Sequence, residues 1–122
     1  MRSEIVVADD SETILSLIVF ALTREGFEPA TAVDGAGALE QIRKHRPKLL
    51  ILDAMMPNGD GYDVCRALNE DPTIERPYVI MLSAAAQDSH RRRALEAGVD
   101  EYITKPFSTS ALRTRVREIL RP

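Results

Sequence analysis

The chain has 122 residues, 44% apolar and 29% charged, with a net charge of −3, a balance that fits one globular domain around one core and excludes disordered and fibrous chains. Its longest apolar stretch, residues 14 to 22, is broken by Ser16 and falls short of the roughly 20 residues that cross a bilayer, and the start "MRSEIVVADD" has no signal-like apolar segment, so a cytoplasmic protein is expected. The single Cys65 rules out an internal disulfide, and with only His45 and His90 for company any metal site must be built from oxygen.

The first apolar run, "EIVVAD" at 4 to 9, reads as a strand, and Asp10 or Ser11 can cap the helix that follows it. On that helix Ile14, Leu17, Ile18, Ala21 and Leu22 share one side, whereas Val19 and Phe20 fall outside the cluster. Either this helix is covered more fully than usual or it offers an apolar spot to a partner. A second strand is expected at 28 to 33, followed by a helix capped by Asp34 whose first turn holds Gly35 and Gly37, each costing about 1 kcal/mol relative to alanine. "KLLILD" at 48 to 53 is the third strand, and Asp60 can cap the third helix beyond the glycines at 59 and 61.

"YVIMLS" at 78 to 83 and "DEYIT" at 100 to 104 complete five strands, and the last helix, about 108 to 120, repeats Leu112, Val116, Ile119 and Leu120 on one face. The first, third and fourth strands are continuously apolar, as parallel strands covered on both faces are. Five βα units joined by short connections, with no Pro/Gly-rich linker, predict one doubly wound α/β domain over residues 1 to 122. Residues 1 to 89 hold 8 basic and 15 acidic residues, and residues 90 to 122 hold 8 and 4. Arg91, Arg92 and Arg93 are adjacent and fan around a helix, so this basic third reads as solvated helix surface and not as a DNA patch.

Ligands of an open α/β sheet bind beyond the carboxyl ends of its strands. At that edge the first strand delivers Asp9 and Asp10, the third Asp53 and the fourth Ser83, and the fifth is followed by Lys105. Singly, Asp10 reads as a cap, Ser83 as a turn residue and Lys105 as a solvated charge; jointly they mark a site. Three neighbouring carboxylates repel unless neutralised, and a hard cation such as Mg²⁺ does so with oxygen ligands and phosphate oxygens. A carboxylate can itself accept a phosphoryl group, with the cation and Lys105 balancing charge on the equatorial oxygens and Ser83 donating a hydrogen bond.

These residues, together with "ILDAMMPNGDGYD", "VIMLSA", Tyr102 and "KPF" at 105 to 107, resemble the receiver domain of bacterial two-component response regulators, nearest in form to the single-domain chemotaxis-type regulators. The resemblance covers essentially the whole chain and implies a flavodoxin-like fold of five parallel strands in the order 2-1-3-4-5 with five helices. It implies that Asp53 is the phosphoacceptor, charged by a sensor histidine kinase, a histidine phosphotransfer protein or a small phosphodonor. It implies Mg²⁺, with Mn²⁺ as a substitute, on Asp9, Asp10, Asp53 and the Met55 backbone carbonyl, with Lys105 paired to the phosphoryl group. Ser83 and Tyr102 resemble the family's switch pair, in which the hydroxyl moves toward phosphate and the ring turns inward. Pro106 resembles the family's cis proline. Kinases dock on the first helix of such domains, which gives Val19 and Phe20 a use. The usual output face, formed by the fourth helix, fifth strand and fifth helix, would act on a downstream effector protein or a fused effector domain, or in a phosphorylation-dependent dimer, with neither membrane nor direct nucleic-acid contact. Both a complete single-domain regulator and a receiver cut from a longer protein stay open.

Three other classes fit less well. A dinucleotide-binding enzyme wants G-x-G-x-x-G after the first strand, and "GAGALE" follows the second and ends in Glu40. A haloacid-dehalogenase-type phosphatase places a second Asp two residues after the nucleophile, where this chain has Met55. A pseudo-receiver that binds without being phosphorylated has no reason to keep the acidic residues intact. Met55, Ala84 and Ala85 carry no carboxylate or amide to orient an attacking water, so rapid autodephosphorylation is not expected.

Overall fold

The structure is a computed structural model and describes residues 3–121. Met1, Arg2 and Pro122, which belong to the expected domain span, lie outside the described residues. Ten elements alternate: β1 (Ile5–Ala8), α1 (Glu12–Arg24), β2 (Ala30–Ala32), α2 (Gly35–His45), β3 (Leu49–Asp53), α3 (Gly61–Glu70), β4 (Tyr78–Ser83), α4 (Asp88–Glu96), β5 (Glu101–Thr104) and α5 (Thr109–Leu120). The strands form one parallel sheet in the order β2-β1-β3-β4-β5, the doubly wound arrangement expected from the sequence. β2 is shorter than its apolar run. Pro29 has no N–H for the ladder, and Val33, past the strand end, is exposed.

Period-two alternation divides the central strands between two cores. Val6, Leu50, Leu52, Val79 and Met81 pack with Ala38, Ile42, Val64, Cys65, Leu68 and Ala94 of α2, α3 and α4. Ile5, Val7, Leu49, Ile51, Ile80 and Leu82 pack with Ile18, Leu22, Leu112, Val116 and Leu120 of α1 and α5. Each fully buried leucine or isoleucine contributes about 2 kcal/mol from apolar burial, which keeps β1, β3 and β4 rigid up to their carboxyl ends.

Caps set where the helices begin. Ser11, and not Asp10, caps α1, its Oγ accepting from the Ile14 N–H at 3.3 Å. Asp34 Oδ1 accepts from the Gly37 N–H at 2.7 Å, and Asp60 and Asp63 form a reciprocal capping box at the start of α3. Ser108 caps α5 through the Ala111 N–H.

The expected helix α2 with its Asp34 cap is present and its glycines have a packing reason, whereas one expectation, on α1, is corrected. The glycines of α2 are required by packing: a Cβ on Gly35 would stand 2.1 Å from the Gly59 carbonyl oxygen, and one on Gly37 would stand 2.9 Å from Asp34 Oδ1. On α1, Leu17 does not join the buried side. It is 51% exposed beside Phe20 at 64%, while Val19 is half-buried, so the apolar spot is Leu17 with Phe20. Close to the site, only Gly59 of the two glycines after Asp53 needs a left-handed backbone, at φ +99°. Gly61 is there for space, because a Cβ would lie 2.6 Å from the Asp53 carbonyl oxygen.

Candidate functional site

Strand register assembles the site. Ala8 is paired with Leu52, so Asp9, the next residue, emerges beside Asp53; Asp53 is paired with Leu82, and Ser83 with Thr104. The ladder continues past β5 where the Lys105 N–H donates to the Ser83 carbonyl at 2.7 Å, which fixes the base of the lysine. The Lys105–Pro106 peptide bond is cis.

One carboxylate oxygen from each of Asp9, Asp10 and Asp53 lies within 4.8 Å of the other two. Asp9 and Asp53 are buried and Asp10 is exposed. The Lys105 ammonium, its side chain 17% exposed, reaches Asp9 Oδ2 at 3.1 Å and Asp53 Oδ1 at 3.2 Å. Asp9 Oδ1 accepts from the Ser11 N–H at 2.9 Å, and Asp53 Oδ1 accepts a long bond of 3.4 Å from the Met55 N–H. Met55 is 69% exposed.

One ammonium faces three carboxylates, and the imbalance shows in Asp53. Burial first, and the negative charge of Asp9 second, push its carboxyl up to about 6, against the pull of Lys105 and the Met55 N–H. A set of three carboxylates with surplus negative charge and no sulfur or imidazole is the donor chemistry of a hard, oxygen-seeking cation. The cluster can therefore hold a metal ion.

Ser83 and Tyr102 are both buried and meet through one residue. The Ser83 hydroxyl accepts from the Ala85 N–H at 3.1 Å, and the Tyr102 hydroxyl donates to the Ala85 carbonyl at 2.5 Å. Among the described residues the Ser83 hydroxyl makes no bond to the acidic cluster. Thus Asp9, Asp10, Asp53 and Lys105 come together, and Ser83 and Tyr102 form a second group bound to the same β4–α4 loop. Sequence reasoning missed Arg91, whose Nη1 donates to the Tyr102 carbonyl at 3.2 Å and whose guanidinium carbon lies 5.1 Å from the centre of that ring. Its only signal was membership of an arginine run that reads as solvated surface.

A doubly wound sheet with an acidic cluster and a lysine at its carboxyl edge defines a phosphoacceptor module. Residues 5–117 match the family model of the response regulator receiver domain, and the chain belongs to that family. It is 41% identical over 121 residues to the phosphate regulon transcriptional regulatory protein PhoB of Rhizobium meliloti, covering 99% of this chain and 53% of that protein. Identity is 38% over 121 residues to the alkaline phosphatase synthesis transcriptional regulatory protein PhoP of Bacillus subtilis, covering 99% of this chain and 50% of that protein. The chain thus spans about half the length of the curated relatives it matches. Among solved structures, a putative response regulator from Chloroflexus aurantiacus superposes with a TM-score of 0.88 at 32% identity over 100% of both chains. The chemotaxis response regulator CheY4 of Vibrio cholerae, at 24% identity, a TM-score of 0.87 and coverage of 98% of this chain and 100% of its own, shares the fold. The chain is a receiver domain of two-component signal transduction with a phosphoacceptor role. Among the described residues, no helix is long and apolar enough to cross a membrane.

Proposed function

We propose that Asp53 is the phosphoacceptor and that this domain catalyses its own phosphorylation from a phosphohistidine, on a sensor histidine kinase or a histidine phosphotransfer protein, or from a small phosphodonor. The observation that carries the reading is the position of Lys105, 3.1 Å from Asp9 and 3.2 Å from Asp53 inside a cluster of three carboxylates. A carboxylate oxygen of Asp53 attacks phosphorus as the P–N bond of phosphohistidine breaks and its electron pair returns to the imidazole. Lys105, already beside the nucleophile, pairs with the equatorial oxygens that carry the transition-state charge.

Asp9, Asp10 and Asp53 would hold Mg²⁺, with Mn²⁺ as a substitute, and the Met55 backbone carbonyl would complete the protein ligands as it does in the family. A cation held there would offset the surplus negative charge of these carboxylates and supply Lewis-acid stabilisation for a phosphoryl group. On phosphorylation the Ser83 hydroxyl, here accepting from the Ala85 N–H, turns toward the phosphoryl group, while the Tyr102 ring, buried with its hydroxyl on the Ala85 carbonyl, already lies inward. The new negative charge biases a two-state equilibrium read at the face of α4, β5 and α5. Autodephosphorylation is slow, because Met55, Ala84 and Ala85 place no carboxylate or amide near the site.

In this reading residues 1 to 122 are one cytoplasmic receiver domain. Its output goes to a downstream effector protein, a fused effector domain or a phosphorylation-dependent dimer, and the domain itself contacts neither membrane nor nucleic acid. Incubation with Mg²⁺ and acetyl phosphate, followed by intact mass, should show one added phosphoryl group that is labile to hydroxylamine and absent from Asp53→Asn. No adduct on the unmodified chain would leave a binding module in its place.

A further inference from the structure

α4 is lightly held. Ala94 is the one residue it buries, where α1, α2, α3 and α5 each bury three or more, and its N-cap Gln87 makes no capping bond. At about 100° per residue, Arg91 lies about 60° to one side of Ala94 and Arg93 about 100° to the other. Each closes on a tyrosine. The guanidinium carbon of Arg91 sits 5.1 Å from the Tyr102 ring centre while Nη1 bonds the Tyr102 carbonyl, and that of Arg93 sits 3.9 Å from the Tyr62 ring centre. Both tyrosines belong to the core layer that receives Ala94. Arg92, between them, is exposed and makes no hydrogen bond or ion pair among the described residues.

We infer that Arg91 is a positioning residue for Tyr102: by covering the ring and holding its backbone carbonyl, it keeps the ring inward and ties the docking of α4 to the state of the switch. The inference rests on the reading of Ser83 and Tyr102 as a switch pair. A ring that turns outward gives up its hydroxyl bond to the Ala85 carbonyl and its contact with Arg91 together. By reciprocity, whatever favours the inward ring also favours the phosphorylated form of the site. Arg91 therefore sets how readily the domain switches without touching the reacting atoms.

The test uses ¹³C-labelled tyrosine, whose signals from the three tyrosines are assigned with Tyr62→Phe and Tyr78→Phe, and titration with beryllofluoride and Mg²⁺ as a noncovalent phosphoryl mimic. In ligand-free Arg91→Ala the Tyr102 signal should move, and the beryllofluoride concentration for half-saturation should rise about threefold, the change expected from one partly exposed cation–π contact. Arg92→Ala removes the same charge one residue on and should change neither. Arg91→Lys, which keeps a cation and a donor, should recover part of both. A Tyr102 signal in Arg91→Ala that coincides with that of Arg92→Ala overturns the inference, and a moved signal with an unchanged half-saturation overturns the coupling to the switch. If beryllofluoride binds neither protein, the phosphoacceptor reading fails instead, and the ligand-free Tyr102 signal still decides the Arg91 contact.

Discussion

The Lys105 ammonium lies 3.2 Å from Oδ1 of Asp53, and it is a single positive charge among three carboxylates whose oxygens lie within 4.8 Å. Repulsion in a metal-free site works against the fold, so Asp53→Asn, which keeps the shape and removes one charge, should stabilise the chain. It leaves Lys105 paired with Asp9 at 3.1 Å. With a chelator present, the gain should be about 1 kcal/mol, read from the urea midpoint. Lys105→Ala should lower stability by about 1–3 kcal/mol and move that midpoint the other way, because it strands the buried carboxylates of Asp9 and Asp53.

Asp10 separates metal binding from packing. It is exposed and belongs to the acidic cluster, so Asp10→Asn should change chelated stability by less than about 0.5 kcal/mol. If the cluster of the folded chain takes Mg²⁺, the ion should stabilise the unmodified protein by about 2.7 kcal/mol at 100 times its dissociation constant and raise its melting temperature. That rise should be abolished in Asp10→Asn and reversed by chelator. An equal rise in both proteins would place the cation elsewhere.

Cys65 reports the integrity of the core. It is a fully buried residue of α3, and burial pushes its thiol up to about 11 from an ordinary 9. Between those values the unfolded chain releases the proton first, so stability falls as pH rises from about 9 to 11. Cys65→Ala should lack that portion of the alkaline loss, a difference of about 2 kcal/mol between the two slopes in urea titrations at pH 8 and pH 11. In the native protein at pH 8 roughly one thiol in a thousand is ionised, so a thiol reagent should label Cys65 only as fast as the fold opens.

Gly35 carries the packing of α2 against the loop after β3. A Cβ there would lie 2.1 Å from the Gly59 carbonyl oxygen and 2.9 Å from its Cα, both backbone atoms that cannot swing aside. Gly35→Ala should therefore destabilise by about 1–3 kcal/mol despite the better helix propensity of alanine, measured by urea unfolding. A stabilised variant would show that the loop moves at little cost.

Much of the fold was legible because it rests on runs of apolar residues and on caps. Leu49 to Leu52 and Val79 to Leu82 announce buried parallel strands, and Asp34, Asp60 and Ser11 announce helix starts, since both signals act within a few residues of chain. The acidic edge was legible for the same reason: each polar residue ends an apolar run. What could not be read depends on distant partners. Nothing near Gly35 mentions Gly59, nothing in the arginine run at 91 to 93 mentions Tyr62 or Tyr102, and the helical spacing of Leu17 does not say that no element covers it. Those facts arise from how layers meet, and a single sequence does not carry them as local pattern.

Leu17 and Phe20 form an exposed apolar spot on α1, 51% and 64% exposed, beside Glu12, Thr13 and Ser16. The Arg24 guanidinium carbon, 5.8 Å from the Phe20 ring centre, adds a charged rim. If a phosphohistidine donor docks there, Phe20→Ala should slow transfer from that donor about tenfold, the loss typical of one aromatic anchor at a contact surface. The same variant should keep its stability within about 0.5 kcal/mol, because the ring is largely in water. Its phosphorylation by acetyl phosphate, which needs no docking surface, should be unchanged. Transfer from the donor protein at the unmodified rate would remove α1 from the recognition surface. A parallel fall with acetyl phosphate would mean that Phe20 acts through the fold of the acidic site.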